Sequence, residues 1–188
     1  MIIAPPAFED VLSAASRLEG LAVKTPLIRN AALDAATGAK VFVKAECLQR
    51  TGSFKFRGAY NRISRLSAEQ LKRGVVAFSS GNHAQGVASA AGLMQTPAVI
   101  VMPADAPRTK IEGTEALGGE VVLYDRLTES REQIAARIAQ ERGAVVVPAF
   151  DDFHVIAGQG TAGLETIQQL QALDEAADVL LAPVSGGG

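Results

Sequence analysis

The sequence predicts an α/β fold built on a parallel sheet. Three observations carry that prediction. Between Val75 and Val147, four short apolar runs of strand character alternate with three segments of helical character. Glycines close those helical segments, at Gly118-Gly119 and at Gly143. Apolar residues make up 48% of the 188 residues, enough to bury a core between layers. Alternation of this kind favours parallel strands with right-handed crossovers, because each helix must pack back onto the sheet.

The elements follow in order. Phe8, Val11, Leu12, Ala15 and Leu18 recur at helical spacing, and Gly20 ends the run. Lys40 to Lys44 alternates and predicts a strand. Ser67-Ala68-Glu69-Gln70 has the form of a capping box, opening a short helix that stops at Gly74. Val75 to Phe78 is a buried-type strand, His83 to Met94 a helix of small residues, and Ala98 to Met102 a second strand. Pro107 to Leu117 predicts a helix with proline in its first turn, where a missing N–H costs nothing. Glu120 to Tyr124 is a strand, Thr128 to Arg142 a helix, Ala144 to Val147 a strand, Gly160 to Leu173 a helix and Asp178 to Ala182 a last strand. The inner unit spans residues 67–147. The flanking pieces, 1–66 and 148–188, form a second layer from both ends of the chain.

Charge and composition exclude several functions. Charged residues are 20% and the net charge is −2, with no basic run beyond Lys72-Arg73, so nucleic acid is not an expected partner. The apolar stretch from Val75 to Pro103 is interrupted by Ser79, Ser80, Asn82, His83 and Gln85, so it predicts no membrane span. Met1 to Pro6 lacks the charged and apolar regions of a signal peptide. A single cysteine, Cys47, permits no intrachain disulfide and suits a cytoplasmic setting; it reads as a packed or half-exposed residue.

Four constellations carry chemistry. Lys55 sits between Phe54 and Phe56, just after a Thr51-Gly52-Ser53 turn. Apolar neighbours disfavour its ammonium form, and a neutral amine can add to an aldehyde; the alternative is a surface lysine whose stem lies along two rings. Ser79-Ser80-Gly81-Asn82-His83-Ala84-Gln85-Gly86 follows a parallel strand and opens a helix, a place suited to an anion such as a carboxylate; the alternative is an ordinary capping turn. Ser185-Gly186-Gly187-Gly188 follows another strand, where backbone N–H groups can converge on a phosphate; the alternative is a flexible tail. Arg131 falls on the apolar stripe of Leu127, Ile134, Ala135 and Ile138, which calls for an anionic partner, either a ligand or a local acid such as Glu129 or Glu132.

In this order the motifs resemble the fold-type II pyridoxal phosphate enzymes, most of all the threonine dehydratase, serine dehydratase and serine racemase group. The resemblance rests on Thr51 to Ala59, on Ser79 to Gly86, on Val155-Ile156-Ala157-Gly158-Gln159-Gly160-Thr161 and on Pro183 to Gly188. It implies a small parallel four-stranded domain inserted in a larger α/β domain. It implies pyridoxal 5'-phosphate carried on Lys55, packed by Phe54, bonded at its ring hydroxyl by Asn82 and gripped at its phosphate by Ser185, Gly186, Gly187 and Gly188. Ser80, Gly81 and His83, with Arg131 from the small domain, would hold the substrate carboxylate. Ser80 also matches the acid/base of the racemases.

The implied activity is α,β-elimination from L-threonine, L-serine or a 3-hydroxyaspartate to a 2-oxo acid and ammonia. The alternatives are a serine or aspartate racemase, or a fragment that binds no cofactor. Relatives of this group continue past Gly188, so the resemblance implies a piece of a longer polypeptide. The absent part would carry the rest of the larger domain and a possible cation site, and the intact protein would be a homodimer. The inner unit is expected to be ordered, with Ser185 to Gly188 and the first six residues mobile, and to close toward Lys55 over a bound carboxylate.

Overall fold

A computed structural model of the chain describes residues 5–183. The chain opens with helix α1 (Phe8–Leu18), strand β1 (Leu27–Arg29), helix α2 (Ala31–Thr37) and strand β2 (Phe42–Lys44). Two single 3-10 turns, Glu46–Leu48 and Arg50–Gly52, lead into α3 (Lys55–Ile63) and α4 (Ala68–Arg73). Then β3 (Val75–Phe78), α5 (Asn82–Leu93), β4 (Ala98–Pro103), α6 (Arg108–Ala116), β5 (Glu120–Tyr124), α7 (Arg131–Arg142) and β6 (Val145–Val146) alternate, before α8 (Phe153–Ala172).

The expected parallel sheet is present, in the order β5-β4-β3-β6. Val75 pairs with Ala98 on one side and Val145 on the other, and Val99 pairs with Glu120. Strands β1 and β2 form a separate antiparallel pair, Leu27 opposite Lys44. The pleat divides the core. Val75, Ala77, Ile100 and Met102 face one way, onto Ala84 and Val87 of α5 and Phe56 and Ile63 of α3. Val76, Val99 and Val101 face the other way, onto Ala135 and Ile138 of α7. The strands are therefore covered on both faces, which is why they read as continuous apolar runs.

The strand order reverses between β3 and β6: the chain runs outward through β3, β4 and β5, then returns to pair β6 against β3. In open parallel sheets the crevice at such a switch point, beyond the carboxyl ends of the strands, is where ligands bind.

Some expectations are corrected. Asp178 to Ala182 is not a strand. Val179, Leu180 and Leu181 are exposed, and among the described residues no neighbouring strand offers the ladder that a β conformation needs. Helix α7 begins at Arg131 rather than Thr128, because Ser130 caps it by accepting from Gln133 N–H while Asp125 folds the preceding residues into a turn. Leu127 therefore lies outside the helix and is exposed. Helix α8 begins seven residues before Gly160, capped by Asp152, whose carboxylate accepts from the N–H groups of His154 and Val155. Its early glycines are not breakers: a Cβ on Gly158 would stand 2.7 Å from the carbonyl of Arg57, so glycine there lets α8 cross closely over α3. Cys47 is exposed on its 3-10 turn. Ser185 to Gly188 and Met1 to Ala4 lie outside the described residues.

Candidate active site

The carboxyl ends of β3 and β6 bring together segments distant in sequence. The loop after β3 carries Ser79, Ser80 and Gly81 into α5, and the loop after β6 carries Val147 to Asp152 into α8. Lys55, first residue of α3, reaches the second loop: its Nζ donates to the Ala149 carbonyl at 2.7 Å. The same amine stands 5.2 Å from the centre of the Phe54 ring. Burial holds the Lys55 amine below its ordinary value, and the positive end of α3 opposes an ammonium at the same place. Among the described residues Lys55 makes no ion pair with a carboxylate. A half-buried amine without a counter-ion is poised to act as a base or nucleophile.

The turn before Lys55 is strained. Thr51 and Gly52 both have positive φ, 65° and 72°. That is ordinary for glycine and unusual for a β-branched residue. Helix α5 then approaches this segment closely, since a Cβ on Gly86 would stand 3.1 Å from Lys55 carbonyl carbon and Phe56 nitrogen.

His83 lies in the first turn of α5 and is buried. Its Nε2 bonds the Val147 carbonyl at 3.0 Å; as a carbonyl can only accept, Nε2 carries the hydrogen. Burial above all, with the nearby Lys55 charge adding, pushes the imidazole down to about 4 despite that bond. The neutral ring therefore presents a lone pair at Nδ1, and what His83 offers an anion is its backbone N–H in the first turn of α5. Ser80 and Asn82 are exposed at the loop. Gly81 N–H donates to Ser79 Oγ at 3.2 Å.

Arg131 stands over the carboxyl end of β3, its guanidinium 5.2 Å from the centre of the Phe78 ring. It is not on a buried stripe: its side chain is 46% exposed and Nε bonds Glu132 at 2.8 Å. That bond first, working against burial, raises its pKa. Of the two acids expected as partners, Glu129 instead accepts from Asp125 N–H.

Two residues of consequence were not singled out from the sequence. Arg57 is fully buried and bonds both carboxylate oxygens of Glu46, at 2.8 Å each, and both of Glu165, at 2.7 and 2.9 Å. Burial opposes its charge, and the hydrogen bonds it donates to Glu46 and Glu165 more than restore it. This pins the first turn of α3, and so Lys55, to α8 and to the 3-10 turn. Lys110 of α6 donates from Nζ to Asn82 Oδ1 at 2.9 Å. No local pattern marks Arg57 out, because the acids that answer it lie 11 residues before it and 108 after.

The fold thus places a half-buried lysine amine beside the first turn of a helix at a sheet switch point. Residues 18–188 match the family model described as "Pyridoxal-phosphate dependent enzyme", and the chain belongs to that family. It is 54% identical over 181 residues to an L-threo-3-hydroxyaspartate ammonia-lyase from Pseudomonas sp., covering 96% of this chain and 56% of that protein. It is 48% identical over 180 residues to an L-threonine ammonia-lyase from Thermotoga maritima, covering 96% of this chain and 44% of the relative. Maize serine racemase superposes with a TM-score of 0.86 at 40% identity, covering 92% of this chain and 52% of that structure. The chain spans about half the length of the relatives it matches.

The residues present fit pyridoxal 5'-phosphate. Thr51 Oγ1, Ser53 Oγ and His83 Nδ1 are buried without a hydrogen-bond partner, on the turn into Lys55 or within reach of its charge. Buried polar atoms are rarely left so, and two of these three sit within four residues of Lys55 in the sequence. Among the described residues no helix is long and apolar enough to cross a membrane, and no group of three His, Cys, Asp or Glu is placed to hold a metal ion.

Proposed function

We propose that the intact protein is a pyridoxal-phosphate dependent ammonia-lyase acting on small hydroxy amino acids: L-serine, L-threonine or L-threo-3-hydroxyaspartate. The observation that carries this reading is the half-buried Lys55 amine, without a carboxylate partner among the described residues, beside the Asn82-His83 loop at the switch point. The relatives named above support the reaction class. When bound, the cofactor supplies an electron sink that lets an amino acid lose its α-proton.

The chain's own residues do the rest. Lys55 Nζ would hold the cofactor and would also be the base placed to take the α-proton; burial, which lowers its pKa, favours the free amine in that role. Phe54 would pack against the cofactor and Asn82 would bond its ring oxygen, while Ser185, Gly186, Gly187 and Gly188 would supply phosphate-binding N–H groups. The substrate carboxylate is held by Ser80, Gly81 and the His83 backbone, with Arg131 reaching in from α7. The β-hydroxyl leaves as water and a water returns in hydrolysis, so the net products are the 2-oxo acid and ammonia. Under this reading residues 67–147 form the unit that carries the carboxylate loop, and residues 1–66 with 148–188 the unit that carries Lys55. Closure of one on the other would keep water from the reacting carbon.

The test uses the full-length protein loaded with cofactor. Wild type should show the visible absorbance of a lysine-bound cofactor and should form 2-oxo acid from one of the three substrates; Lys55→Ala should do neither. A band that survives in Lys55→Ala would sink the assignment.

A second reading, an amino-acid racemase, has support from the exposed Ser80 on the loop after β3 and from the likeness to maize serine racemase. Ser80→Ala should then lose racemisation while keeping 2-oxo acid formation, measured by chiral separation of the amino acid. Equal loss of both, or of neither, would remove the racemase reading.

A further inference from the structure

Lys110, on the first turn of α6, crosses to the first turn of α5. Its Nζ donates to Asn82 Oδ1 at 2.9 Å and to Gln85 Oε1 at 3.1 Å. Asn82 and Gln85 are three residues apart on one face of α5, so a single ammonium can bridge them. Asn82 is exposed, and an exposed contact alone would carry little. This one is shaped by a second feature. Gly113, in the interior of α6, faces the Gln85 amide so closely that any Cβ there would collide with Gln85 Nε2. Glycine inside a helix is less favourable than alanine. Here it leaves room for Gln85 to lie against α6 and hold Lys110.

The consequence concerns the Asn82 carboxamide. An ammonium has only donors, so it can face only the oxygen end of the amide. With Oδ1 held by Lys110, the NH2 end is the one left to point elsewhere. A ring oxygen that carries negative charge needs a donor, and only the NH2 end supplies one. We propose that Lys110, seated by Gln85 over Gly113, is a positioning residue that fixes the Asn82 carboxamide with its NH2 toward the cofactor's ring oxygen. This rests on the pyridoxal phosphate reading above and goes beyond it by assigning roles to Lys110, Gln85 and Gly113.

A fixed donor and a nearby cation both favour negative charge on the ring oxygen, and both disfavour a proton on the adjoining lysine-derived nitrogen. The other ionisable groups on the elements packed at α5 are Lys55, Arg57, Tyr60 and Arg62 on α3, Arg50 on the 3-10 turn, His83 on α5 itself, and Arg108, Glu112 and Glu115 on α6. Arg108 and Glu112 pair with each other, and among the described residues Lys110 alone of these donates to Asn82.

The test is a spectroscopic pH titration of the full-length holoenzyme, following the visible band of the lysine-bound cofactor. Lys110→Met should raise the titration midpoint by about 0.5 to 1 pH unit, a roughly three- to tenfold change in proton affinity. Lys110→Arg, which keeps a donor cation, should restore most of the wild-type midpoint. Gly113→Ala, which displaces Gln85 without touching the charge, should move it part of the way, with far-UV circular dichroism unchanged. A Lys110→Met midpoint equal to wild type, or Lys110→Arg shifting as far as Lys110→Met, would overturn the inference. Those outcomes are distinct from failure of the cofactor reading itself, which would appear as no Lys55-dependent band in wild type.

Discussion

Glu165→Gln is a direct probe of what holds Lys55 in place. Glu165 accepts two bonds from Arg57, at 2.7 and 2.9 Å, and one from Lys44 at 2.6 Å. The side chains are 0%, 18% and 11% exposed for Arg57, Glu165 and Lys44. With Glu46 the cluster holds two carboxylates and two cations and is neutral. Removing one member of a buried pair costs about 3–5 kcal/mol because the other charge is left uncompensated. The amide keeps one acceptor and the site is partly wet, so the expected loss is about 2–3 kcal/mol. Lys44 loses the one carboxylate it pairs with among the described residues in this variant, so adding Lys44→Met should cost less than it does in wild type, with a coupling of about 1–2 kcal/mol.

The pH dependence of that loss has a definite sign. Burial would raise the Glu165 carboxyl, but the bonds from Arg57 and Lys44 outweigh it and hold the group below its ordinary 4.5. A depressed carboxylate stabilises the fold fully above its unfolded pKa and loses that contribution as pH falls through the folded value. The deficit of Glu165→Gln should therefore be full at pH 7 and shrink below 4.5. Urea unfolding of the full-length protein, followed by far-UV circular dichroism across that range, measures it. A deficit under about 1 kcal/mol at pH 7, or strict additivity with Lys44→Met, would refute the argument that this cluster is a coupled buried network.

Further outcomes follow from the same packing. Gly158→Ala should lower the melting temperature, at a cost of about 1–3 kcal/mol, since its Cβ would meet the Arg57 carbonyl and Gly58 Cα at 2.7 Å each. Gly163→Ala on the same helix meets nothing within 4 Å and should be neutral or gain about 0.5–1 kcal/mol; equal losses at the two positions would contradict the crossing described. His83, neutral in the fold with its imidazole at about 4 against an ordinary 6.5, contributes stability above 6.5 that drains away as pH falls toward 4. His83→Asn should flatten the stability profile across that window, by up to about 3 kcal/mol, and an unchanged slope would show that the ring is not buried neutral.

Local pattern made much of this legible. Strands β3, β4 and β5 are apolar runs bounded by turns, and the Ser67–Gln70 capping box forms as its spacing predicts: Gln70 N–H donates to Ser67 Oγ at 3.2 Å, and Ser67 N–H donates to Gln70 Oε1 at 2.9 Å. Helix α3 was not legible, because Gly58 interrupts its pattern and its stability comes from crossing α8 and α5 rather than from propensity. The last apolar run, Asp178 to Ala182, has strand composition without a strand, since composition cannot supply a partner.

What the amino-acid order determined by itself was therefore the class of fold, the family resemblance and the chemistry-bearing segments around Lys55 and Asn82. Each of these is written in contiguous residues whose local conformations and side-chain types can be read together. Only the tertiary structure decided how those segments meet. It puts the switch point between β3 and β6, sets Lys55 on the Ala149 carbonyl and His83 on Val147, surrounds Arg57 with acids 11 residues before it and 108 after, and brings Lys110 to Asn82 across 28 residues. Such contacts depend on sheet order and helix crossing, which arise from burying both faces of the sheet at once, and no single segment encodes that.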